Sequence, residues 1–367
     1  MASGSPTVTF VIPCYRLAHF LAECVASVVS QDYANIEILI LDDQSPDNTE
    51  EVARRIIADH PDRNIQYVRN EKNLGNIRTY NKGISLAAGA HVWILSPDDR
   101  LRSRQIVSRY ADLMVRRPDV GYVFCPAHLI KNDADTGVCK ESVYRAEDQV
   151  LDSVQLVKDI ADNDFTLLSP SVMIRKECYE RVTLFPENLP HRGDSQVWAM
   201  IALSYRVGYF AEPMVDYRVH ADSMMATFGR QNVARMVEDD IAVPWGIKAA
   251  AEAKNNREVV AHCEAALIRV YARVMSSRFN FRGTPYTMPV RDFESSLSKW
   301  EPGADSRARL KKAIAVELYC MGLADRLGGH ERFRDELQAA FALSPRLRLV
   351  PPLGRLMRTA RRRLKLS

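Results

Sequence analysis

The sequence predicts an α/β fold in which a mostly parallel sheet is flanked by helices and followed by a helical C-terminal region. Short apolar runs without polar alternation recur in the first half of the chain, which is typical of strands buried on both faces. Stretches with apolar residues at helical spacing separate these runs. This alternation of strand and helix predicts parallel strands joined by right-handed crossovers.

The first part of the chain provides the candidate strands and helices in turn. Strands are predicted at residues 7–12, 36–41, 65–68 and 91–95. Helices are predicted at residues 17–29, from residue 50 onward and at residues 77–88. Pro13 and Pro97 are expected to end the strands before them, because proline cannot donate a ladder hydrogen bond. Gly89 is a suitable C-cap for the third helix.

The rest of the chain is less regular at first and then helical. A strand is predicted at residues 121–125, but no structure is assigned to the polar residues 126–165 that follow it. Long inserts of this kind often act as lids or carry function. Helices are predicted at residues 237–253, 257–274, 313–327 and 330–345. Pro244 is expected to kink or split the first of these, and the last is typical of half a tetratricopeptide hairpin.

Composition places the chain among ordinary globular proteins. It has 367 residues, of which 47% are hydrophobic and 26% are charged, enough for one large domain and an appendage. No apolar run approaches the roughly 18 residues of a membrane span, and no signal peptide is predicted. The seven cysteines form no CxxC pair. They therefore predict neither a zinc site nor a disulfide framework, and they favour a cytoplasmic location.

The net charge of +4 conceals a basic tail. Residues 344–367 carry eight arginines and lysines and no acidic residue, so the rest of the chain has a net charge of 4 − 8 = −4. Leucines alternate with these arginines, which is compatible with peripheral binding to an anionic membrane. A solvated basic helix is the alternative. Nucleic-acid binding is not predicted, because no aromatic residues accompany the charges.

Two pairs of adjacent aspartates follow predicted strands. Asp42 and Asp43 come after the second strand, and Asp98 and Asp99 come after the fourth. The carboxyl ends of strands are where open α/β sheets bind ligands. Adjacent carboxylates repel each other unless a cation offsets their charge, and oxygen ligands suit Mg²⁺ or Mn²⁺. The alternatives are a solvated turn for the second pair and helix capping for the first.

Several motifs together resemble the GT-A fold glycosyltransferases of family 2, which are inverting enzymes that use nucleotide sugars. The motifs occur in the family's order over roughly residues 7–225, and residues 226–367 lie outside them. They are Val11-Ile12-Pro13-Cys14-Tyr15, Gln31-Asp32-Tyr33, the segment 37–49, Asn73-Leu74-Gly75, Asn81-Lys82-Gly83, Pro97-Asp98-Asp99, Arg192-Gly193-Asp194 with Trp198, and Asp216-Tyr217-Arg218-Val219-His220 with Ser223.

The resemblance implies a donor site on the first loops. Pro13 and Tyr15 would line the nucleoside pocket. Asp43 would accept a hydrogen bond from the base, and a carboxylate suits the imide N–H of uracil or thymine, which implies a UDP- or dTDP-type donor. Arg78 would lie near the diphosphate, although an ordinary surface arginine is nearly as good an interpretation. Asp98 would reach the ribose.

The resemblance also implies a metal and a catalytic base. Asp98 and Asp99 would hold Mn²⁺ or Mg²⁺, and His220 would complete the coordination unless it is a structural histidine. Asp194 would remove the proton from the acceptor hydroxyl, with helix N-capping as the alternative. The acceptor would be a glycan, a lipid-linked molecule or a polysaccharide precursor. The chain would act in the cytoplasm, in part at the inner face of the membrane.

Two residues depart from the family pattern. Arg16 stands where relatives usually have Asn, and either contacts the diphosphate or acceptor or points to solvent. Ser96 stands where the metal motif often begins with Asp.

A nucleotidyltransferase should have a glycine-rich loop after the first strand, and an oxidoreductase a GxGxxG; neither is present. A degenerate transferase that only binds nucleotide sugars is a third alternative.

These observations predict three parts of the chain. Residues 1–225 would form the GT-A domain, residues 226–345 a helical domain and residues 346–367 the basic amphipathic tail.

Overall fold

A computed structural model describes residues 6–131, 134–163, 165, 167–221, 223, 232–276, 278–281, 284–331 and 333–348. The chain forms two compact units, Met1–Ser223 and Met224–Ser367. The basic tail lies almost wholly outside the described residues. Within the described residues, no helix has the length and apolar character needed to cross a membrane.

The first unit contains two sheets and the helices that cover them. The strands are β1 (Val8–Cys14), β2 (Ile36–Asp42), β3 (Asn64–Arg69), β4 (His91–Ile94), β5 (Arg100–Leu101), β6 (Val120–Phe124), β7 (Ala127–Lys131), β8 (Ala134–Val138), β9 (Gln149–Leu151), β10 (Met173–Arg175), β11 (Arg206–Tyr209) and β12 (Val215–Val219). The helices are α1 (Ala18–Val29), α2 (Thr49–Asp59), α3 (Asn76–Leu86), α4 (Ile106–Arg116), α5 (Ser153–Asp162), α6 (Lys176–Arg181) and α7 (Gly193–Ala202). The α/β class predicted from the sequence is confirmed.

The large sheet has the strand order β3-β2-β1-β4-β10-β6-β11-β9. Only β10 and β9 run antiparallel to their neighbours in it. The chain moves outward from β1 to β3 and then returns to place β4 on the other side of β1. This reversal creates a crevice at the carboxyl ends of β1 and β4, which is where such sheets bind ligands. A smaller sheet has the order β5-β12-β7-β8.

The prediction that Pro13 ends the first strand is wrong by two residues. β1 continues to Cys14, and Pro13 stays in register with Leu41 of β2. Leu95 donates to the Val11 carbonyl, so the odd-numbered positions of β1 face β4. Because β4 ends at Ile94, no ladder bond is available to Pro13 on that side. The missing N–H therefore costs nothing here.

Helix α3 packs directly on the sheet through a glycine. A β-carbon at Gly83 would lie 2.3 Å from Cγ1 of Val11 and 2.7 Å from Cδ1 of Leu41. No larger residue fits without moving α3 away from β1 and β2. This close approach fixes the position of α3 beside the crevice.

Residues 126–165, which the sequence left unassigned, form β7, β8, β9 and α5. β7 pairs in parallel with β12, so this insert builds half of the small sheet. Asp152 is the N-cap of α5, and its side chain accepts a hydrogen bond from the Val154 N–H at 3.1 Å.

The second unit is mainly helical, with a short hairpin. Its elements are α8 (Val233–Ala253), α9 (Arg257–Met275), β13 (Phe279–Phe281), β14 (Thr284–Tyr286), α10 (Val290–Trp300), α11 (Ala304–Leu327) and α12 (Phe333–Leu343). The expected split at Pro244 is wrong: α8 runs through it, and Ile241 and Trp245 beside it pack in the core of this unit. Tertiary packing outweighs the local preference of proline.

Buried His91 predicts acid-sensitive stability. Its side chain is buried, and neither ring nitrogen has a hydrogen-bond partner among the described residues. Burial, and then the charge of Arg175, lowers the pKa of His91 to about 4. Between about pH 6.5 and pH 4, His91 therefore binds a proton in the unfolded chain but not in the folded chain. The free energy of unfolding falls as the pH falls through this range.

We expect His91→Phe to remove this contribution. The free energy of unfolding should differ between pH 7.5 and pH 5 by about 2 kcal/mol less in the variant than in the wild type. Urea unfolding at the two pH values measures the difference. His19→Gln, on the exposed face of α1, is the control. An unchanged pH dependence in His91→Phe would contradict the assignment.

Candidate active site

The candidate site lies where β1, β2 and β4 end. Asp47, in the loop after β2, organises the first two of these ends. Its Oδ1 accepts hydrogen bonds from Ser45 Oγ at 2.6 Å and from the Thr49 N–H at 3.2 Å. Its Oδ2 accepts from the Ala18 N–H at 3.1 Å. The loops after β1 and β2 are therefore held together by one carboxylate.

Neither acid of the first pair caps a helix, so that alternative is wrong. Asp42 accepts hydrogen bonds from the Ser45 N–H at 2.6 Å and from the Tyr67 hydroxyl at 2.6 Å. Asp47, not Asp42 or Asp43, holds the first residue of α2. Asp42, the last residue of β2, thus holds the loop that follows this strand.

Asp43 is buried and holds the loop that leads into α3. Oδ1 accepts from Asn70 Nδ2 at 2.8 Å and from the Leu74 N–H at 2.7 Å, and Oδ2 accepts from the Gly75 N–H at 2.9 Å. A carboxylate has about four acceptor positions, so one is left for a ligand. The predicted contact of Asp43 with a nucleobase stays a prediction, and it would have to use that position.

Pro13 and Tyr15 lie at the end of β1. Pro13 is half-buried, whereas the side chain of Tyr15 is 40% exposed. An exposed aromatic ring next to the crevice is available for contact with a ligand. Their role in nucleoside binding stays a prediction.

Asp98 and Asp99 are held by the last strand of the unit. The Arg218 N–H donates to Asp99 Oδ1 at 2.9 Å, and Arg218 Nε donates to the Asp98 carbonyl at 2.9 Å. His220 Nε2 lies 3.1 Å from Asp98 Oδ2. Because Asp99 is buried and Asp98 is half-buried, the alternative of a solvated turn is wrong.

The electrostatics of this pair favour a cation. Burial, and then the charge of Asp98, raises the pKa of Asp99 well above its usual range. Two carboxylates and an imidazole are N and O donors that suit Mn²⁺ or Mg²⁺. No group of three or more His, Cys, Asp and Glu side chains in the described part of the chain could by itself hold a metal ion. A cation here would therefore need ligands from a bound phosphate group.

An ion-pair network supports the second pair from α1. Glu23 Oε2 accepts from Arg218 Nη2 at 2.7 Å, and Glu23 also pairs with Arg100. Arg100 Nε donates in turn to Asp216 at 2.7 Å. Sequence reasoning missed Glu23, because an acidic residue on an exposed helix face gives no local signal of its partners.

Arg78 lies at the surface. Its Nε is 2.8 Å from Glu187 Oε2, and the two side chains are 59% and 57% exposed. Exposed pairs of this kind contribute little to stability. A contact of Arg78 with the diphosphate stays a prediction and would require this ion pair to open.

Asp194 lies in the first turn of α7 and is not its N-cap, which is Arg192. The capping alternative is therefore wrong. Asp194 Oδ1 accepts from the Ser195 N–H at 2.6 Å. Burial raises the pKa of Asp194 to about 6, although the bond from Ser195 and the charge of Arg192 oppose the shift. A carboxyl group with this pKa can act as a general base near neutral pH.

Helix α3 connects Asp194 to the rest of the site. A β-carbon at Gly193 would lie 3.5 Å from Cδ1 of Ile77, so α3 flanks the start of α7. Tyr80 is one turn further along α3, and its ring lies 5.5 Å from that of Phe185. Burial, followed by the charges of Asp194 and Asp98, raises the pKa of Tyr80 above its usual value. Tyr80 therefore lies in the field of both acids, and no motif in the sequence indicated this.

Comparisons with known proteins agree with this architecture. The family described as glycosyl transferase family 2 matches residues 9–140. Glycosyltransferase GlyG of Streptococcus pneumoniae serotype 4 is 31% identical over 116 residues, which are 32% of this chain and 38% of that protein. The uncharacterized glycosyltransferase RP339 of Rickettsia prowazekii is 29% identical over 219 residues, which are 59% of this chain and 65% of that protein. The chain thus spans less than two thirds of both relatives.

Two solved structures share the fold. TarS 1–349 of S. aureus in complex with UDP-GlcNAc has a TM-score of 0.62 at 16% identity, and the match covers 93% of this chain and 91% of TarS 1–349. The mannosyltransferase PcManGT of Pyrobaculum calidifontis, in complex with GDP-Man and Mn²⁺, has a TM-score of 0.50 at 17% identity, over 95% and 88% of the two chains. Residues 9–140 of this chain are thus similar to glycosyl transferase family 2, and the chain shares the GT-A fold of these two structures.

Proposed function

We propose that this chain is an inverting glycosyltransferase that moves a sugar from a nucleotide-sugar donor to an acceptor hydroxyl. The observation that carries the proposal is the acid pair Asp98 and Asp99, which Arg218 holds at the sheet edge where β1 and β4 end. Asp194, at the start of α7 and beside α3, would complete the site. The acceptor would be a glycan, a lipid-linked molecule or a polysaccharide precursor.

The donor would lie across the ends of β1, β2 and β4. TarS was solved with UDP-GlcNAc and PcManGT with GDP-Man, which supports a nucleotide sugar as the class of donor. Pro13 and Tyr15 would contact the nucleoside. The remaining acceptor position of Asp43 favours a base with an imide N–H, so a UDP- or dTDP-type donor is preferred in the proposal.

Asp98, Asp99 and His220 would hold Mn²⁺ or Mg²⁺ together with phosphate oxygens of the bound donor. When bound, the cation would act as a Lewis acid that stabilises the charge on the departing diphosphate. PcManGT was solved with Mn²⁺. Arg218 holds this turn from β12, because its backbone N–H binds the Asp99 carboxylate and its side chain binds the main-chain carbonyl of Asp98.

Asp194 would act as the base. The acceptor oxygen forms a bond to the anomeric carbon as the bond from that carbon to the diphosphate breaks. The hydroxyl proton passes to the Asp194 carboxylate, and the nucleoside diphosphate leaves with the bonding electrons. One displacement from the opposite face inverts the anomeric configuration. Asp98 and Asp99 are poor candidates for the base, since a metal-bound carboxylate accepts protons weakly.

A thermal-shift screen with UDP-, dTDP- and GDP-sugars, with and without Mn²⁺, tests this function. A ligand at about 100 times its dissociation constant adds about 2.7 kcal/mol to the free energy of unfolding. Failure of every nucleotide sugar to stabilise the protein would contradict the proposal. Measurement of donor hydrolysis and transfer then separates an active enzyme from a degenerate binding subunit.

Peripheral membrane binding by the tail is part of the proposal. Leu347 packs in the core of the second unit, so a truncation should begin at residue 349. It removes five arginines and one lysine, each worth about 1 kcal/mol near an anionic surface. We expect the truncated chain to bind anionic vesicles more weakly than the full chain, and added salt to reduce the difference. Zwitterionic vesicles are the control, and equal binding of both chains to anionic vesicles would contradict the prediction.

A further inference from the structure

Arg16 has an unusual backbone conformation at the edge of the candidate site. Its φ is 60°, and the other non-glycine residues with positive φ among those described are Gln44, Asn163 and Asn255. Asparagine tolerates this left-handed region, and glycine occupies it freely. Arginine has neither advantage, so the backbone of this loop does not explain the choice of residue.

The loop holds this conformation through the main chain of Arg16 and not through its side chain. The Arg16 N–H donates to Ser45 Oγ at 2.8 Å, and Ser45 Oγ donates to Asp47 Oδ1 at 2.6 Å. The Ala18 N–H is bound to the same carboxylate at 3.1 Å. Glycine or asparagine at position 16 would make the same bonds. Strained residues of this kind concentrate at functional sites.

The guanidinium of Arg16 is available to a ligand. Arg16 is exposed, and its Cζ lies 5.3 Å from the centre of the Tyr15 ring. It forms no ion pair within the described residues, whereas Arg218 and Arg78 are paired with glutamates. A guanidinium presents a rigid fork of donors that matches phosphate oxygens.

The surrounding charge indicates what Arg16 would bind. The carboxyl ends of β2 and β4 and the loops that follow them carry five aspartates, which are Asp42, Asp43, Asp47, Asp98 and Asp99. β1 and β4 are neighbouring parallel strands, so Arg16, which follows β1, lies on the same edge of the sheet as the acid pair that follows β4. The positive charge of Arg16 at that edge would offset the repulsion between the carboxylates and a bound anion.

We propose that Arg16 binds the diphosphate of a nucleoside diphosphate and makes the site prefer the diphosphate over the bare nucleoside. This inference rests on the proposed function. Arg16 would be a specificity-determining residue that acts through charge-assisted hydrogen bonds to phosphate oxygens.

Calorimetric titration with UDP and uridine, and with GDP and guanosine, in the presence of Mn²⁺ tests the inference. We expect Arg16→Asn to weaken binding of the preferred diphosphate by about 10- to 100-fold and to leave binding of its nucleoside unchanged. Its thermal stability should equal or exceed that of the wild type, because asparagine relieves the backbone strain. Arg16→Lys should restore part of the affinity, since it keeps the charge without the fork.

Arg55→Gln is the charge-matched control, because Arg55 is exposed on α2 and has no ion pair within the described residues. Unchanged diphosphate affinity in Arg16→Asn, or an equal loss for the diphosphate and the nucleoside, would overturn the role of Arg16 alone. Failure of the wild type to bind any nucleoside diphosphate would overturn the proposed function as well.

Discussion

Replacing Asp194 with Asn is expected to lower turnover by about 10²- to 10⁴-fold, the usual contribution of a positioned base. The amide has nearly the same size and can still accept the hydrogen bond from the Ser195 N–H, but it cannot accept a proton. Donor affinity and fold should therefore be preserved. Steady-state kinetics with a saturating donor and circular dichroism measure the two properties.

The pH dependence gives a second readout for Asp194. With a pKa of about 6, the wild-type rate should rise as the pH passes through 6, because only the ionised form is a base. The variant should lose this rise. Asp62→Asn, at a side chain that is 78% exposed, is the control. Near wild-type turnover in Asp194→Asn, or a product that retains the donor's anomeric configuration, would contradict the mechanism.

Loss of the Asp194 charge should also stabilise the fold. The folded-state pKa lies above the usual 3.8, so ionisation costs stability as the pH rises from about 4 to 6, and the full cost is present above 6. At pH 7.5 the Asn variant should be more stable than the wild type by an order of 1 kcal/mol, since the side chain keeps partial exposure. Under the proposed mechanism, catalysis and stability make opposite demands on this position.

Replacing Asp99 with Asn is expected to abolish the metal dependence of nucleoside diphosphate binding. The wild type should bind UDP more tightly with Mn²⁺ than with a chelator. The variant should lose that difference. Because Asp99 would contact the cation directly, the loss of Mn²⁺-dependent affinity should exceed the about 10- to 100-fold that follows loss of an outer-shell partner. The Asn side-chain oxygen can still accept from the Arg218 N–H, so the loop should hold its shape. Calorimetry with Mn²⁺ and with chelator measures the effect.

Arg218 provides the matched comparison for Asp99. Arg218→Lys keeps the backbone N–H that binds Asp99 but removes the fork that reaches the Asp98 carbonyl and Glu23. It should weaken Mn²⁺-dependent binding less than Asp99→Asn does. A wild type that binds UDP equally well in both conditions, or an Asp99→Asn variant with full metal dependence, would show that the pair does not hold a cation.

The sequence predicted the site's edge because strand ends are local signals. An apolar run followed by two acids indicates a buried strand and its carboxyl end, and parallel strands bring such ends to one edge of the sheet. The helix with Asp194 was predicted from the spacing of Val197, Trp198 and Ile201, all of which are buried.

Other features depend on partners distant in sequence, which no local pattern encodes. Glu23 meets Arg218, and Asn81 bonds to Phe185. Residues 126–165 escaped assignment because β8 is mostly exposed, so its sequence lacks the apolar alternation that marks a half-buried strand. The role of Asp43 in holding the loop that leads into α3 depends on the path of residues 70–75, which bring the Leu74 and Gly75 N–H groups to its carboxylate.

The bond between Arg218 and Asp99 sets a lower limit on the size of a working fragment. The residues that match the family end at 140, but the strand that holds Asp98 and Asp99 comes from 119 residues beyond Asp99. A fragment cut after residue 140 would keep both acids and lose the groups that orient them. Expression of shorter pieces, domain exchange with relatives, or insertion of tags should therefore treat residues 8–220 as one indivisible unit.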